Sequence, residues 1–319
     1  VKQRAWKGRA PAKVNLLLRV LAREAGGHHQ IETVFQALEL ADQLRIVLGR
    51  PSETGSPRDF GSALPRIALE VEGVGADTLG PPEENLAVRA ARLYSDALGD
   101  GRGPATPVSE IRVRLTKRIP HGAGLGGGSS DAAAVLRGLD QLHGGALGRD
   151  RLVELGGQLG ADVAFFVLDA PRALGWGRGH RLLPLGALPR RPVLLALPPE
   201  SIATPWAYGA LAEHREREGV GAAGGAVLDH ADLDSWEGMA RLAGNAFQPV
   251  LEPLRPELAH IRRLLEEAGA RPALLSGSGS AVFGLFRRES ELREAEEALE
   301  GGAADVQVIR TATVGPAVT

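Results

Sequence analysis

The chain has 319 residues, 44% of them apolar, enough to bury a substantial core split between two domains. It has no cysteine, which excludes disulfides, thiol catalysis and cysteine-held metal. With 37 basic and 39 acidic residues the net charge is −2, which gives no reason to expect nucleic acid as a partner.

No stretch approaches eighteen apolar residues, and Val1-Lys2-Gln3-Arg4 leads into no apolar signal core. The expectation is a cytoplasmic protein that does not enter a membrane. In chain order, 13–21 reads as a strand, and 30–38 and 44–48 as two more. Residues 49–65 are rich in Pro, Ser, Asp and Gly and read as an exposed loop. The stretch 66–72 alternates again, and 84–98 carries Leu86, Ala90, Leu93 and Ala97 at helical spacing. A turn-rich insert, 99–107, precedes Ile111, Val113 and Leu115, which alternate with Arg112, Arg114 and Thr116 as in a strand. The spacing then predicts helices at 132–142 and 149–159, a buried strand at 164–168 and a further strand at 173–176. Pro189 to Pro192 reads as a domain edge. Beyond it come a strand at 193–197 and a helix that Thr204 caps, with Pro205 in its first turn. Residues 219–225 read as loose. Helices at 233–242 and 256–268, strands at 273–275 and 281–286, a helix at 289–300 and a strand at 306–309 complete the pattern. Mixed strands and helices in each half give an α+β fold, divided as 1–180 and 181–319.

The most informative segment is Pro120-His121-Gly122-Ala123-Gly124-Leu125-Gly126-Gly127-Gly128-Ser129-Ser130-Asp131. Five glycines in seven residues leave backbone N–H groups bare between a strand and a helix. Ser129, Ser130 and Asp131 are competent caps. Bare amides leading into a helix N-terminus make an anion site, and a nucleotide phosphate is the expected anion. The pattern is not G-x-x-x-x-G-K-[ST], because serines and no lysine follow the glycines. It is a poor dinucleotide fingerprint too, fitting only with a mismatch and with no acidic residue closing a short parallel strand about twenty positions on.

Lys13 and Asn15 share one strand face. Either that face is wet, or a cation and an amide look into a pocket. Asp162 stands just ahead of an apolar run and needs a donor. It either caps a turn or serves as an ionised general base beside Lys13. His28 and His29 have no partner at metal-ligand spacing. Ser276-Gly277-Ser278-Gly279-Ser280 is a second glycine–serine loop, either a plain turn or a second anion receiver.

Together these segments resemble the GHMP kinase superfamily of small-molecule kinases. The resemblance runs over nearly the whole chain, through Pro11-Ala12-Lys13-Val14-Asn15-Leu16, the glycine run, Leu159-Gly160-Ala161-Asp162-Val163-Ala164-Phe165-Phe166 and Leu275 to Gly284. Within the superfamily it is similar to the branch acting on the 2-hydroxyl of a cytidine-diphosphate-linked methylerythritol in the non-mevalonate isoprenoid route. That resemblance implies a ribosomal-S5-like N-terminal domain, a ferredoxin-like C-terminal domain and an active site in the cleft between them. It implies ATP and Mg2+ as cofactors, with metal ligands unassigned, and a small cytidine diphosphate substrate. No nucleic acid or membrane partner is expected, and the state is monomer or weak homodimer. Asp162 would be the general base and Lys13 its paired cation. Pro120, Gly122, Ala123, Gly124, Leu125, Gly126, Gly127, Gly128, Ser129 and Ser130 would hold ATP phosphates, and Asn85 and Lys117 the adenine. Asn15, His28, His29, Thr204, Tyr208, Gly277, Ser278 and Gly279 would bind substrate, His29 reading cytosine and Tyr208 lying near the base.

Three positions depart from the family pattern. His28 stands where tyrosine is usual, Ala164 where proline is usual, and Asn245-Ala246-Phe247-Gln248 lacks two acids. Another superfamily kinase, of mevalonate or homoserine type, is the second reading. A non-catalytic nucleotide-binding protein on the same fold is the third. Retained Lys13 and Asp162 argue against it, since binding alone needs no base.

Overall fold

The computed structural model describes residues 4–24, 26–27, 29–49, 65–99, 108–219, 228–303 and 305–316. Most of the loops expected at 49–65, 99–107 and 219–225 lies outside the described residues, as does His28. The chain forms two compact units. The first comprises Val1–Ala12, Ala41–His121 and Gly126–Asp169; the second comprises Lys13–Leu40, Gly122–Leu125 and Ala170–Thr319.

Two long strands, β1 (Ala5–Arg23) and β2 (His29–Gly49), each contribute to both units. The break expected inside β2 is absent. Leu38, Ala41 and Leu44 are buried along it, so tertiary packing carries the strand past the polar residues between them. In the first unit β3 (Arg66–Gly73) precedes α1 (Leu86–Gly99), and β4 (Glu110–Lys117) follows it. β4 pairs parallel with β3 and antiparallel with 43–49 of β2. Three helices come next: α2 (Gly127–Leu142), α3 (Gly148–Leu159) and α4 (Ala161–Leu168). Buried alanines on α1 (Ala87, Ala90, Ala91) and on α2 (Ala132, Ala133, Ala134) let these two helices pack closely. A Cβ at Gly138 would stand 2.6 Å from Trp6 and 2.7 Å from Ile46, so α2 lies hard on the strands there.

The strand expected at 164–168 is instead the helix α4. Its residues 163–167 are all buried, and a short apolar run on every face has no period with which to separate helix from strand.

The second unit adds the hairpin β5 (Arg172–Gly177) and β6 (Arg181–Leu185), with β5 antiparallel to 31–36 of β2. After it come β7 (Pro192–Leu197), α5 (Thr204–Glu218), α6 (His230–Leu233) and α7 (Trp236–Leu242). The single helix expected at 233–242 is therefore two, because Ser235 caps the second by accepting from the Gly238 amide. The two-residue β8 (Gly244–Asn245) pairs parallel with Leu17 and Leu18 of β1. The remaining elements are α8 (Gln248–Leu254), α9 (Pro256–Glu267), β9 (Ala273–Leu275), β10 (Val282–Leu285), α10 (Glu289–Gly302) and β11 (Gln307–Ala312). A four-stranded antiparallel sheet runs β11-β7-β10-β9. Its core includes Leu194, Ala196, Val282, Leu258, Ile261, Leu265 and Leu292. The whole is an α+β architecture.

Candidate active site

α2 starts at Gly127, inside the glycine run and earlier than the 132 expected from its alanines. Gly126, at φ 73°, turns the chain into the helix, and no side chain caps it. Ser129, Ser130 and Asp131 are therefore helical residues, Asp131 just beyond the first turn, and do not cap. The Ser130 amide makes the first helical bond, to the Gly126 carbonyl at 2.9 Å. The preceding amides of Gly127, Gly128 and Ser129 have no carbonyl within the helix to meet. The Ser130 hydroxyl is buried and has no hydrogen-bond partner among the described residues. Unmet amides, an unmet hydroxyl and the positive end of a sixteen-residue helix are chemically suited to receive an anion.

In the second unit, Lys13 and Ser276 of the second glycine loop both bond the other half of the glycine run. Its ammonium donates to Asn15 Oδ1 at 2.8 Å and to the Gly124 carbonyl at 2.9 Å. Asn15 donates to Thr33 Oγ1 at 2.8 Å, and Thr33 donates to the Leu17 carbonyl. Ser276 Oγ donates to the same Gly124 carbonyl at 2.9 Å. Backbone bonds join Lys13 to Leu125 and Ala281 to Ala123. The approach is so close that a Cβ on Gly124 would lie 2.1 Å from the Ser276 carbonyl oxygen. Asn245 holds the second loop from below, donating to the Leu275 and Gly277 carbonyls. Thr204 does not cap α5. It is the first helical residue, and its hydroxyl shares a 2.9 Å hydrogen bond with Ser278.

In the first unit, Lys117 is buried between the carboxylates of Asp42 and Asp131, 2.7 Å from the latter. Asp42 also accepts from the Arg118 and Ile119 amides, at 2.5 and 2.9 Å. The two carboxylates raise the Lys117 pKa against the effect of its burial. Burial first, then the Asp42 charge, raises the Asp131 pKa to about 7 despite the opposing Lys117. Lys117 and Asp131 line a cavity of about 280 Å³ with Asn85, Leu86, Pro81, His121 and Gly128. Asn85 also caps the start of α1 through the Ala87 amide at 2.9 Å. Asp42 was not marked by any motif. Its only signal was a carboxylate where two strands were expected to part.

Asp162 lies in the first turn of α4, half-buried, where a carboxylate is favoured by the helix dipole. In the second unit, the His29 ring stacks on Tyr208 with centroids 4.5 Å apart and 22° between planes. Tyr208 in turn meets Phe247 edge-on at 4.9 Å. The two stacked rings leave no room for a base between them, so they present one platform. Burial, then Arg23 and Arg215, lowers the His29 pKa. That shift favours the neutral imidazole.

Comparison with known proteins gives the family. The model of the GHMP kinases N-terminal domain matches residues 85–170, and that of the GHMP kinases C-terminal domain matches 227–304. A 4-diphosphocytidyl-2-C-methyl-D-erythritol kinase from Solibacter usitatus is 38% identical over 299 residues, covering 91% of this chain and 84% of its own. The Bacillus subtilis kinase of the same name is 32% identical, with 95% of each chain covered. A crystal structure of a 4-(cytidine 5'-diphospho)-2C-methyl-D-erythritol kinase is 35% identical, with a TM-score of 0.74 over 98% of this chain and 100% of that one. A homoserine kinase from Cytophaga hutchinsonii shares the fold, at 18% identity and a TM-score of 0.69 over 99% and 96%. The chain belongs to the GHMP kinase family and, within it, to the 4-diphosphocytidyl-2-C-methyl-D-erythritol kinases.

Proposed function

We propose that the chain transfers the γ-phosphoryl group of ATP to the 2-hydroxyl of 4-diphosphocytidyl-2-C-methyl-D-erythritol. The products are the 2-phosphate and ADP, in the non-mevalonate isoprenoid pathway. Similarity over nearly the full length to relatives of that name supports the substrate. The observation that carries phosphoryl transfer is the uncapped start of α2, with its buried, unmet Ser130 hydroxyl.

In this reading the amides of Gly126 to Ser129 and the Ser130 hydroxyl hold the phosphates. Pro120 and Gly122 to Leu125 shape the loop's approach. Asn85 and Lys117 line the adenine cavity. Asp162 accepts the proton of the 2-hydroxyl as its oxygen bonds to the γ-phosphorus and the bond to ADP breaks. Lys13, fixed by Asn15 and Gly124, supplies positive charge to the transferring group. His29 reads the cytosine edge as a neutral ring set on Tyr208, and Asn15, Thr204, Gly277, Ser278 and Gly279 complete the substrate contacts. Mg2+ enters with the nucleotide as MgATP. Among the described residues no group of three His, Asp or Glu side chains is set to hold an ion alone. That suits an ion held mainly by phosphates and water.

No helix among the described residues is long and apolar enough to cross a membrane. We place the reaction in the cytoplasm, run by a monomer or weak homodimer without nucleic acid. The test is ADP release from MgATP over a panel of the cytidine substrate, mevalonate, homoserine and galactose. Turnover on the first alone is expected. Turnover on any of the others in its place would move the chain to another branch of the family.

A further inference from the structure

The buried cluster at the end of β4 holds two carboxylates and one ammonium, an excess of one negative charge. The groups facing one another are Asp42 from β2, Lys117 from β4 and Asp131 from α2, with Glu84 and His121 on the wall of the adjoining cavity. Asp42 is fully buried and is the most heavily used of the three. One oxygen takes the Arg118 and Ile119 amides, and the other takes the Lys117 ammonium. It thereby sets where β4 ends and the glycine run begins. Lys117 lies against α2, its Nζ 3.3 Å from where a Cβ on Gly127 would stand. Asp131 follows directly on Ser130, whose hydroxyl is unmet, near the start of α2.

We propose that Asp42 is a positioning residue for the nucleotide, fixing Lys117 against the first turn of α2 and the backbone that leads into the phosphate loop. The inference rests on the reading that this cavity and helix start receive ATP. Excess negative charge beneath a phosphate site opposes binding of a polyanion. Nucleotide affinity therefore depends on whether the cluster carries a proton. Asp131, raised by burial and by Asp42, is the group that takes it. Below its pKa the cluster is neutral. As pH rises through about 7 it becomes negative, and the KM for ATP rises.

The experiment measures ADP release with ATP and substrate varied in turn, from pH 6 to 9, for the wild type, Asp42→Asn and Lys117→Met. Asparagine can still accept from the two amides, but its NH2 group then faces the ammonium. One charge-assisted bond is lost. The loss of the Lys117 anchor outweighs the relief of excess charge, so the KM for ATP is expected to rise roughly tenfold, with kcat and the KM for the second substrate within about twofold. The pH dependence of the ATP KM near 7 should also flatten, because removing Asp42 removes the excess charge. A purely structural role would lower the melting temperature without moving that profile. An unchanged ATP KM, or a profile like that of the wild type, overturns the proposal. If Lys117→Met weakens ATP and Asp42→Asn does not, Asp42 has no such role and the nucleotide reading stands. If neither variant weakens ATP, that reading falls as well. Should Asp42→Asn fail to fold, Asp131→Asn makes the same change in charge and must also lose the pH dependence. Its persistence there overturns the proposal.

Discussion

Adding a single methyl group at Gly124 tests whether the two glycine loops must touch for the enzyme to work. Gly124 has φ 77°, and a Cβ there would lie 2.1 Å from the Ser276 carbonyl oxygen and 3.1 Å from that of Gly279. Gly144 is the control. It has φ 75° and nothing within 4 Å of its Cβ position. Both alanine variants carry the left-handed backbone cost, about 1–2 kcal/mol. Only Gly124→Ala must also push the loops apart, stretching the Lys13 and Ser276 bonds to the Gly124 carbonyl, each 2.9 Å. Losing one charge-assisted and one neutral hydrogen bond adds roughly 3 kcal/mol. At about 2–4 °C per kcal/mol, Gly124→Ala should melt roughly 6–12 °C below Gly144→Ala. A displaced Lys13 should lower kcat about a hundredfold, while Gly144→Ala turns over as the wild type. Thermal melts and coupled ADP release read both effects. Equal melting and equal kcat in the two variants would refute the claim that loop contact positions Lys13.

Asp162→Ala should lower turnover by ~10²–10⁴ while ATP and substrate binding stay within roughly tenfold. Near wild-type turnover would remove this carboxylate from the proton transfer. Lys13→Met should cost turnover more than ATP affinity, and Lys13→Arg should rescue poorly, because a planar fork cannot reproduce the bonds to Asn15 and Gly124. Full activity in Lys13→Arg would reduce the lysine to a structural tie. His29 has its pKa lowered by burial and by Arg23 and Arg215, so it takes its proton at lower pH than an ordinary histidine, whose pKa is near 6.5. The rise in KM for the cytidine substrate as pH falls should therefore set in at lower pH than protonation of an ordinary histidine would produce. Proton NMR titration of His29 at or above its ordinary value would contradict this, as would a harmless His29→Ala.

The pairing of Lys13 with Asn15 was legible because a strand's two-residue period puts both on one face, and so was a glycine-rich passage from strand to helix. The strand-to-helix junction itself was misplaced. Helix propensity pointed to Ala132, whereas Gly126 in the left-handed region starts the helix at Gly127. The run around Phe165 and Phe166 is apolar on every face and carries no period, so α4 was taken for a strand. α8 and β6 escaped notice. Pro249 and Pro253 interrupt the first, and Pro184 lies within the second. Asp42 was invisible for a different reason. Its partners, the Lys117 ammonium and the Arg118 and Ile119 amides, lie more than seventy residues away, and only the pairing of β2 with β4 brings them together.

The most direct test of the central claim is phosphorus NMR of the products formed from MgATP and 4-diphosphocytidyl-2-C-methyl-D-erythritol. One new phosphomonoester signal, an intact diphosphate and one ADP per phosphate transferred are the predicted result. Inorganic phosphate in place of the monoester, or a phosphoryl group added to the diphosphate, would contradict it.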